Sequence, residues 1–129
     1  MYKRQDSTLV ALRPGLVLAN PERLTPETIP DFLKDWEIIF SPPMEHQERH
    51  SADYLEKAIG SEWIDMNLFS LGPDTVVVDS DQSALIALLE SKGLEVIPLK
   101  LRHSRMMGGG FHCVTLDVRR RGTMESYFG

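Results

Sequence analysis

The chain has 129 residues, of which 42% are hydrophobic and 26% charged, and this composition is ordinary for one soluble globular domain and argues against disorder. Nineteen acidic and fourteen basic residues give a net charge of −5, so neither nucleic acid nor an anionic membrane surface is expected as the main partner. No apolar run approaches the roughly 20 residues of a membrane span, and no signal-peptide pattern is seen. We therefore expect a cytoplasmic location.

Residues 1–5 are polar and basic and stand just before an apolar run with strand alternation. We expect 1–5 to be a non-native leader, with the natural sequence beginning near Asp6. A frayed polar terminus is the alternative interpretation.

The first structural pattern predicts two strands, over 7–12 and 16–19, around the turn Arg13-Pro14-Gly15. Early prolines and N-cap signals then favour a short helix through Phe32-Leu33. Residues 36–40 read as a further strand before two prolines. The predicted order of this unit is β-β-α-β.

Residues 44–60 form a polar interlude that contains His46 and His50. Two histidines four residues apart share a helix face and suggest a metal site, but no third ligand stands nearby. We expect a solvated loop here, and neither a metal nor a cofactor.

A second β-β-α-β unit follows, with strands predicted over 65–71, 75–79 and 94–99. Its helix carries apolar residues at helical spacing, with Ser80-Asp81 as the predicted cap and Gly93 as the stop. Strand 75–79 is almost entirely apolar, which predicts cover on both faces.

The two units are an internal repeat, because Leu12–Asn20 matches Leu71–Asp79 at a constant offset of 59 residues (71 − 12 and 79 − 20). Repeated units bury their apolar faces against neighbouring units, and two units seldom suffice. The pattern therefore predicts that the chain is part of a larger ring or stack.

Three consecutive glycines, 108–110, lead to the only cysteine, Cys113. Glycines permit close backbone approach or positive φ, and the residues after them alternate as in a strand. A lone thiol is either an inert packing residue or a nucleophile. In a strand, His112 and Cys113 would point to opposite faces, so His112 is a poor candidate for the activating base. The run 119–121 is basic and favours salt bridges or an interdomain contact over phosphate binding.

The block from Gly108 to Cys113, together with Asp117–Thr123, Asn20–Arg23 and Met66-Asn67, resembles the arginine:glycine amidinotransferase family. The resemblance covers 6–129 and implies an α/β pentein fold, a five-bladed propeller of ββαβ modules. This chain would supply about two modules plus the C-terminal cysteine segment. Residues 6–129 would then be the C-terminal part of a catalytic domain, with the earlier blades missing.

The resemblance implies an enzyme that transfers an amidino group from arginine to an acceptor amine, glycine by default, through a covalent intermediate on Cys113. Asp6 matches a carboxylate that grips the guanidinium, and Arg23 matches a position that binds the substrate carboxylate. Ser61 matches the second of two serines that contact arginine, and Gly60 stands in place of the first. The partners implied are small-molecule substrates, with a homodimer as one assembly of the full-length protein.

The family's proton-transferring histidine should stand two residues before Asp6, where this chain has Arg4. A guanidinium cannot act as a base near neutral pH, so we expect the fragment to be inactive alone. Two alternatives stay open. One is a hydrolase of the arginine deiminase type, and the other is a noncatalytic two-blade module that docks onto a partner.

Overall fold

A computed structural model describes residues 7–45 and 61–119, with only the backbone described at 104 and 105. The described residues form two three-stranded mixed sheets, in the strand orders β1-β2-β3 and β4-β5-β6. The elements are β1 (Leu9–Arg13), β2 (Leu16–Ala19), a 3₁₀ helix (Asp31–Leu33), β3 (Glu37–Phe40), a second 3₁₀ helix (Ile64–Met66), β4 (Phe69–Ser70), β5 (Thr75–Asp79), α1 (Ser83–Ser91), β6 (Glu95–Leu99) and α2 (Ser104–Met107).

The first sheet confirms the predicted hairpin. β1 and β2 are antiparallel, and Gly15 in the turn between them has a φ of 82°, which suits glycine. β3 lies parallel to β2, because the 3₁₀ helix crosses between them. The backbone N–H of Glu37 donates to Gly15 O at 2.8 Å and sets the register of β3.

In the second sheet, β5 pairs antiparallel with β4 and parallel with β6. The strand predicted over 65–71 is mostly wrong, since only Phe69–Ser70 is a strand and Ile64–Met66 is a 3₁₀ helix. The first four residues of that stretch, 65–68, are all buried, polar ones included: Asp65 is 5% exposed and accepts a hydrogen bond from Gln82 Nε2 at 3.1 Å.

The internal repeat is confirmed down to individual hydrogen bonds. Asn20 Oδ1 accepts from the backbone N–H of Glu22 at 2.9 Å, and Asp79 Oδ1 accepts from the N–H of Asp81 at 3.1 Å. Both are the same side-chain turn at the end of the central strand of a sheet. The two units thus share one strand order and one helix position, which holds a 3₁₀ helix in the first unit and α1 in the second, while the larger ring or stack stays a prediction.

The N-terminus of α1 is capped from a distance. The predicted cap Ser80-Asp81 is wrong, since Gln82 is the N-cap residue and makes no side-chain cap bond. The Glu45 carboxylate accepts from the N–H of Ala84 at 2.9 Å and so supplies the side-chain cap of the helix. Gly93, with a φ of 77°, follows the helix in the left-handed conformation, as predicted.

An apolar cluster of described residues joins the two modules. It contains residues of both sheets, of α1 and of the segment before β4: Leu12, Leu16, Leu18, Ile39, Trp63, Met66, Leu68, Val76, Val78, Leu85, Leu89 and Leu94. The residues Val76–Val78 are buried, as their apolar run predicted. Over 7–45 and 61–119, no helix has the length and apolar character needed to span a membrane.

Leu89→Ala tests this core. Leu89 is 0% exposed, so truncation is expected to lower the free energy of unfolding by about 2–5 kcal/mol in a urea titration. Leu71→Ala is the control, because Leu71 is 52% exposed and its loss should cost under about 0.5 kcal/mol. Equal effects of the two variants would contradict the assignment of Leu89 to the core.

Candidate active site

The cysteine lies on a turn and not on a strand. Gly108, with a φ of 68°, ends α2, and residues 111–114 turn. The N–H of Val114 donates to Gly110 O at 3.3 Å, and the N–H of Thr115 donates to His112 O at 3.2 Å. The strand predicted after the glycines is wrong for its described part, because these local bonds satisfy the backbone instead of a neighbouring strand.

The turn is held against Asn67. The N–H of Cys113 donates to Asn67 Oδ1 at 3.0 Å, and the N–H of His112 donates to Asn67 O at 3.3 Å. At Gly110 an added Cβ would lie 2.6 Å from both Cβ and O of Asn67. The expectation that the glycines serve a close approach and a positive φ is therefore confirmed, at Gly110 and Gly108 respectively.

The Cys113 side chain is exposed. The interpretation of this thiol as a buried packing residue is wrong, and an exposed thiol is accessible to a small molecule. His112 is also exposed, and since both residues lie in a turn, the strand argument about opposite faces does not apply. His112 lines a cavity of about 330 Å³ with residues of β1 and β4 and with Asn67.

Arg23 lies beside the start of the described chain. Its Nη1 donates to Ser7 O at 3.2 Å, to Ser7 Oγ at 2.8 Å and to Thr8 Oγ1 at 3.0 Å. Asn20 Nδ2 also donates to Ser7 O, at 2.7 Å. Arg23 is thus in contact with the two residues that follow Asp6 in the chain.

Ser61 sits on the neighbouring loop. Its Oγ accepts from the backbone N–H of Trp63 at 3.2 Å, and Trp63 Nε1 donates to Glu22 Oε2 at 2.8 Å. Glu22 precedes Arg23, so one hydrogen bond joins the loops that carry Ser61 and Arg23. Trp63 and Asn67 flank one 3₁₀ turn, which places their backbones about 8 Å apart.

Glu22 and Trp63 thus link the loops that carry Arg23 and Ser61, and Cys113 contacts Asn67, which follows the same 3₁₀ helix that Trp63 precedes. Asp6, together with Arg4, Gly60, His46 and His50, lies outside the described residues. Within the described ranges, no group of three or more His, Cys, Asp or Glu side chains could hold a metal ion.

The sequence did not reveal Asn67 as the partner of the cysteine. The triglycine indicates that something comes close to the backbone, but nothing local to it identifies a residue 46 positions earlier. Nor does the sequence reveal the contacts of Glu22 with Trp63 and of Asn20 with Ser7.

The chain was compared with known protein families, proteins and structures. No protein-family model matches the chain. The inosamine-phosphate amidinotransferase 1 of Streptomyces glaucescens is 50% identical over 123 residues, which is 95% of this chain and 34% of that protein. The mitochondrial glycine amidinotransferase of Danio rerio is 38% identical over 124 residues, 95% of this chain and 28% of that protein.

Over 95% of its length this chain is homologous to amidinotransferases. The solved structure of the inosamine-phosphate amidinotransferase from Streptomyces griseus superposes with a TM-score of 0.86 at 52% identity, over 96% of this chain and 34% of that one. The mixed α/β architecture of the two small sheets is therefore that of an amidinotransferase. The chain spans about a third of the length of the curated relatives it matches.

Proposed function

We propose that the protein transfers an amidino group from L-arginine to an acceptor amine through a covalent intermediate on Cys113. The observation that carries this proposal is the exposed thiol on a turn held by Asn67, in a chain homologous to amidinotransferases. We further propose that the two sheets are two blades of a pentein propeller, which their equivalence as ββαβ modules supports. Residues 6–129 would then be the C-terminal part of its catalytic domain.

The proposed reaction has two displacement steps. The Cys113 thiolate attacks the guanidinium carbon of arginine, the S–C bond forms, and the C–N bond to the ornithine nitrogen breaks as that nitrogen takes up a proton. The acceptor amine then attacks the same carbon, loses a proton, and expels the thiolate. A thiolate suits both steps because it is a strong nucleophile and a good leaving group.

Three further residues have proposed roles in holding arginine. A carboxylate such as Asp6 pairs with the guanidinium through two parallel hydrogen bonds. Arg23, proposed to bind the arginine carboxylate, already orders Ser7 and Thr8 through Nη1. It would therefore act both on the substrate and on the segment next to Asp6. Ser61 is proposed to contact arginine from the adjoining loop.

The acceptor that the comparisons favour is inosamine phosphate and not glycine. The relatives named for inosamine phosphate share 50% and 52% of the aligned residues with this chain, against 38% for the glycine enzyme of Danio rerio. Glycine, the default from the sequence resemblance, is the second candidate.

A chimera tests the acceptor. Residues 6–129 would replace the corresponding third of the Streptomyces griseus enzyme, and the product mixture would be analysed by mass spectrometry with arginine and each amine. We expect ornithine and amidinated inosamine phosphate, with kcat/KM at least about tenfold above that for glycine. Preferred use of glycine would overturn the acceptor assignment, and citrulline would show the hydrolase alternative.

We also propose that the 129-residue chain does not turn over by itself, because Arg4 stands where the resemblance places the proton-transferring histidine. The unmodified chain, incubated with arginine and either amine, should yield no ornithine above the blank. Measurable ornithine would contradict this. The noncatalytic docking module would be supported instead if the chimera formed no amidino adduct on Cys113.

A further inference from the structure

Asn67 is fixed in place by its surroundings before it meets the cysteine. It follows the Ile64–Met66 3₁₀ helix, and its backbone N–H donates to Ile64 O at 2.9 Å. Its chain neighbours Met66 and Leu68 are 0% and 2% exposed, and Asn67 itself is 1% exposed. A residue held in this way offers its oxygens at defined positions.

Both oxygens of Asn67 accept hydrogen bonds from consecutive backbone N–H groups of the cysteine turn. The backbone O accepts from His112, and Oδ1 accepts from Cys113. The N–H groups of Val114 and Thr115, by contrast, bond to carbonyls inside the turn. The two Asn67 bonds therefore tie the turn to a buried part of the fold, whereas the other two shape the turn itself.

We propose that Asn67 is the positioning residue for Cys113, which fixes the direction in which Sγ meets the guanidinium carbon. This inference rests on the proposed amidino transfer. Residues 112–119 are exposed, so side-chain burial does little to hold the thiol, and displacement of a reacting atom by about 1 Å is enough to cost a large part of a rate.

The amide of Asn67 has a second consequence, which distinguishes it from a carboxylate of the same shape. A neutral oxygen accepts the Cys113 N–H without placing a negative charge beside the sulfur. An aspartate would accept the same hydrogen bond but would disfavour the thiolate by like-charge repulsion. Asn67 thus holds the backbone of the cysteine turn and places no charge beside the sulfur of Cys113.

The test uses the 129-residue chain, whose single cysteine makes alkylation site-specific. Iodoacetamide alkylation rates would be measured against pH, and hydrogen exchange of the Cys113 amide by NMR, for the wild type, Asn67→Ala, Asn67→Asp and Gln82→Ala. Gln82 is a matched control, because it is 1% exposed and its side-chain bonds go to Glu45 and Asp65.

In Asn67→Ala we expect Cys113 amide exchange to accelerate by about tenfold, because the acceptor is lost. In Asn67→Asp the protection should persist, while alkylation at neutral pH becomes several-fold slower, because a negative charge now lies beside the sulfur. Gln82→Ala should leave both measurements at the cysteine as in the wild type.

Wild-type protection of the Cys113 amide in Asn67→Ala would overturn the proposal, as would exchange in Asn67→Asp as fast as in Asn67→Ala. The same acceleration in Gln82→Ala would also overturn it, since general loosening would then explain the effect. Failure of the chimera to transfer amidino groups refutes the proposed function and leaves these exchange results unchanged, so the two failures are distinguishable.

Discussion

Cys113→Ser in the chimera is expected to abolish amidino transfer, with kcat reduced by about 10⁴-fold or more. A hydroxyl is far less nucleophilic than a thiolate at neutral pH and is a poorer leaving group in the second step. The fold should be unaffected, because the Cys113 side chain is exposed and its structural contact runs through the backbone N–H. The rate would be followed as ornithine release, and the fold by the urea midpoint.

Val114→Ala is the matched control for this substitution. Val114 is 65% exposed and lies next to the cysteine on the same turn, so its truncation should change kcat by less than about threefold. A Cys113→Ser chimera that keeps turning over would remove Cys113 from the mechanism. A variant that loses both activity and folding would contradict the exposed placement of the side chain.

Gly110→Ala is expected to have the second-largest effect on kcat, because the added methyl group overlaps with Asn67. The new methyl group would lie 2.6 Å from Asn67 Cβ and O and 2.8 Å from Oδ1, all closer than atoms tolerate. Because Asn67 is buried and its backbone is held, the cysteine turn must move. We expect a loss of about 1–3 kcal/mol in unfolding free energy and a fall in kcat of about tenfold to a hundredfold.

Gly72→Ala supplies the comparison, because a Cβ at Gly72 meets nothing within 4 Å and the residue has no positive φ. It should change the unfolding free energy by less than about 0.5 kcal/mol and leave kcat unaltered. If Gly110→Ala behaves like Gly72→Ala in both measurements, the close contact with Asn67 does not constrain the turn.

The parts of the fold that the sequence predicts are those set by local chemistry. The hairpin around Gly15 follows from a turn residue between two β-rich runs, and the burial of residues 76–78 follows from three consecutive valines. The offset of 59 residues further identifies two equivalent modules without any reference to structure. The hairpin and strand signals lie within a few residues of the features they predict, and the repeat is found by comparing two segments of the sequence directly.

The parts of the fold that the sequence does not predict depend on contacts between residues far apart in the chain. The α1 cap comes from Glu45, 39 residues before Ala84, and the anchor of Cys113 comes from Asn67, 46 residues earlier. Alternation also misleads after the glycines, since the same polar and apolar order suits an exposed turn with internal hydrogen bonds. Arg23, Ser61 and Cys113 were identified by resemblance, and only tertiary contacts show how they are connected.

The side-chain turn shared by the modules shows how a repeat can diverge by a single atom. Asn20 has an amide nitrogen, and this nitrogen holds Ser7, the residue after Asp6. Its counterpart Asp79 has an oxygen there instead, which accepts from the N–H of Leu101 at 3.4 Å, on the segment that leads to the thiol. The side chain donates in one module and accepts in the other, so the same scaffold position holds the segment next to Asp6 in the first module and the segment that leads to Cys113 in the second. Exchanging the two side chains would leave each copy with the wrong polarity for its segment.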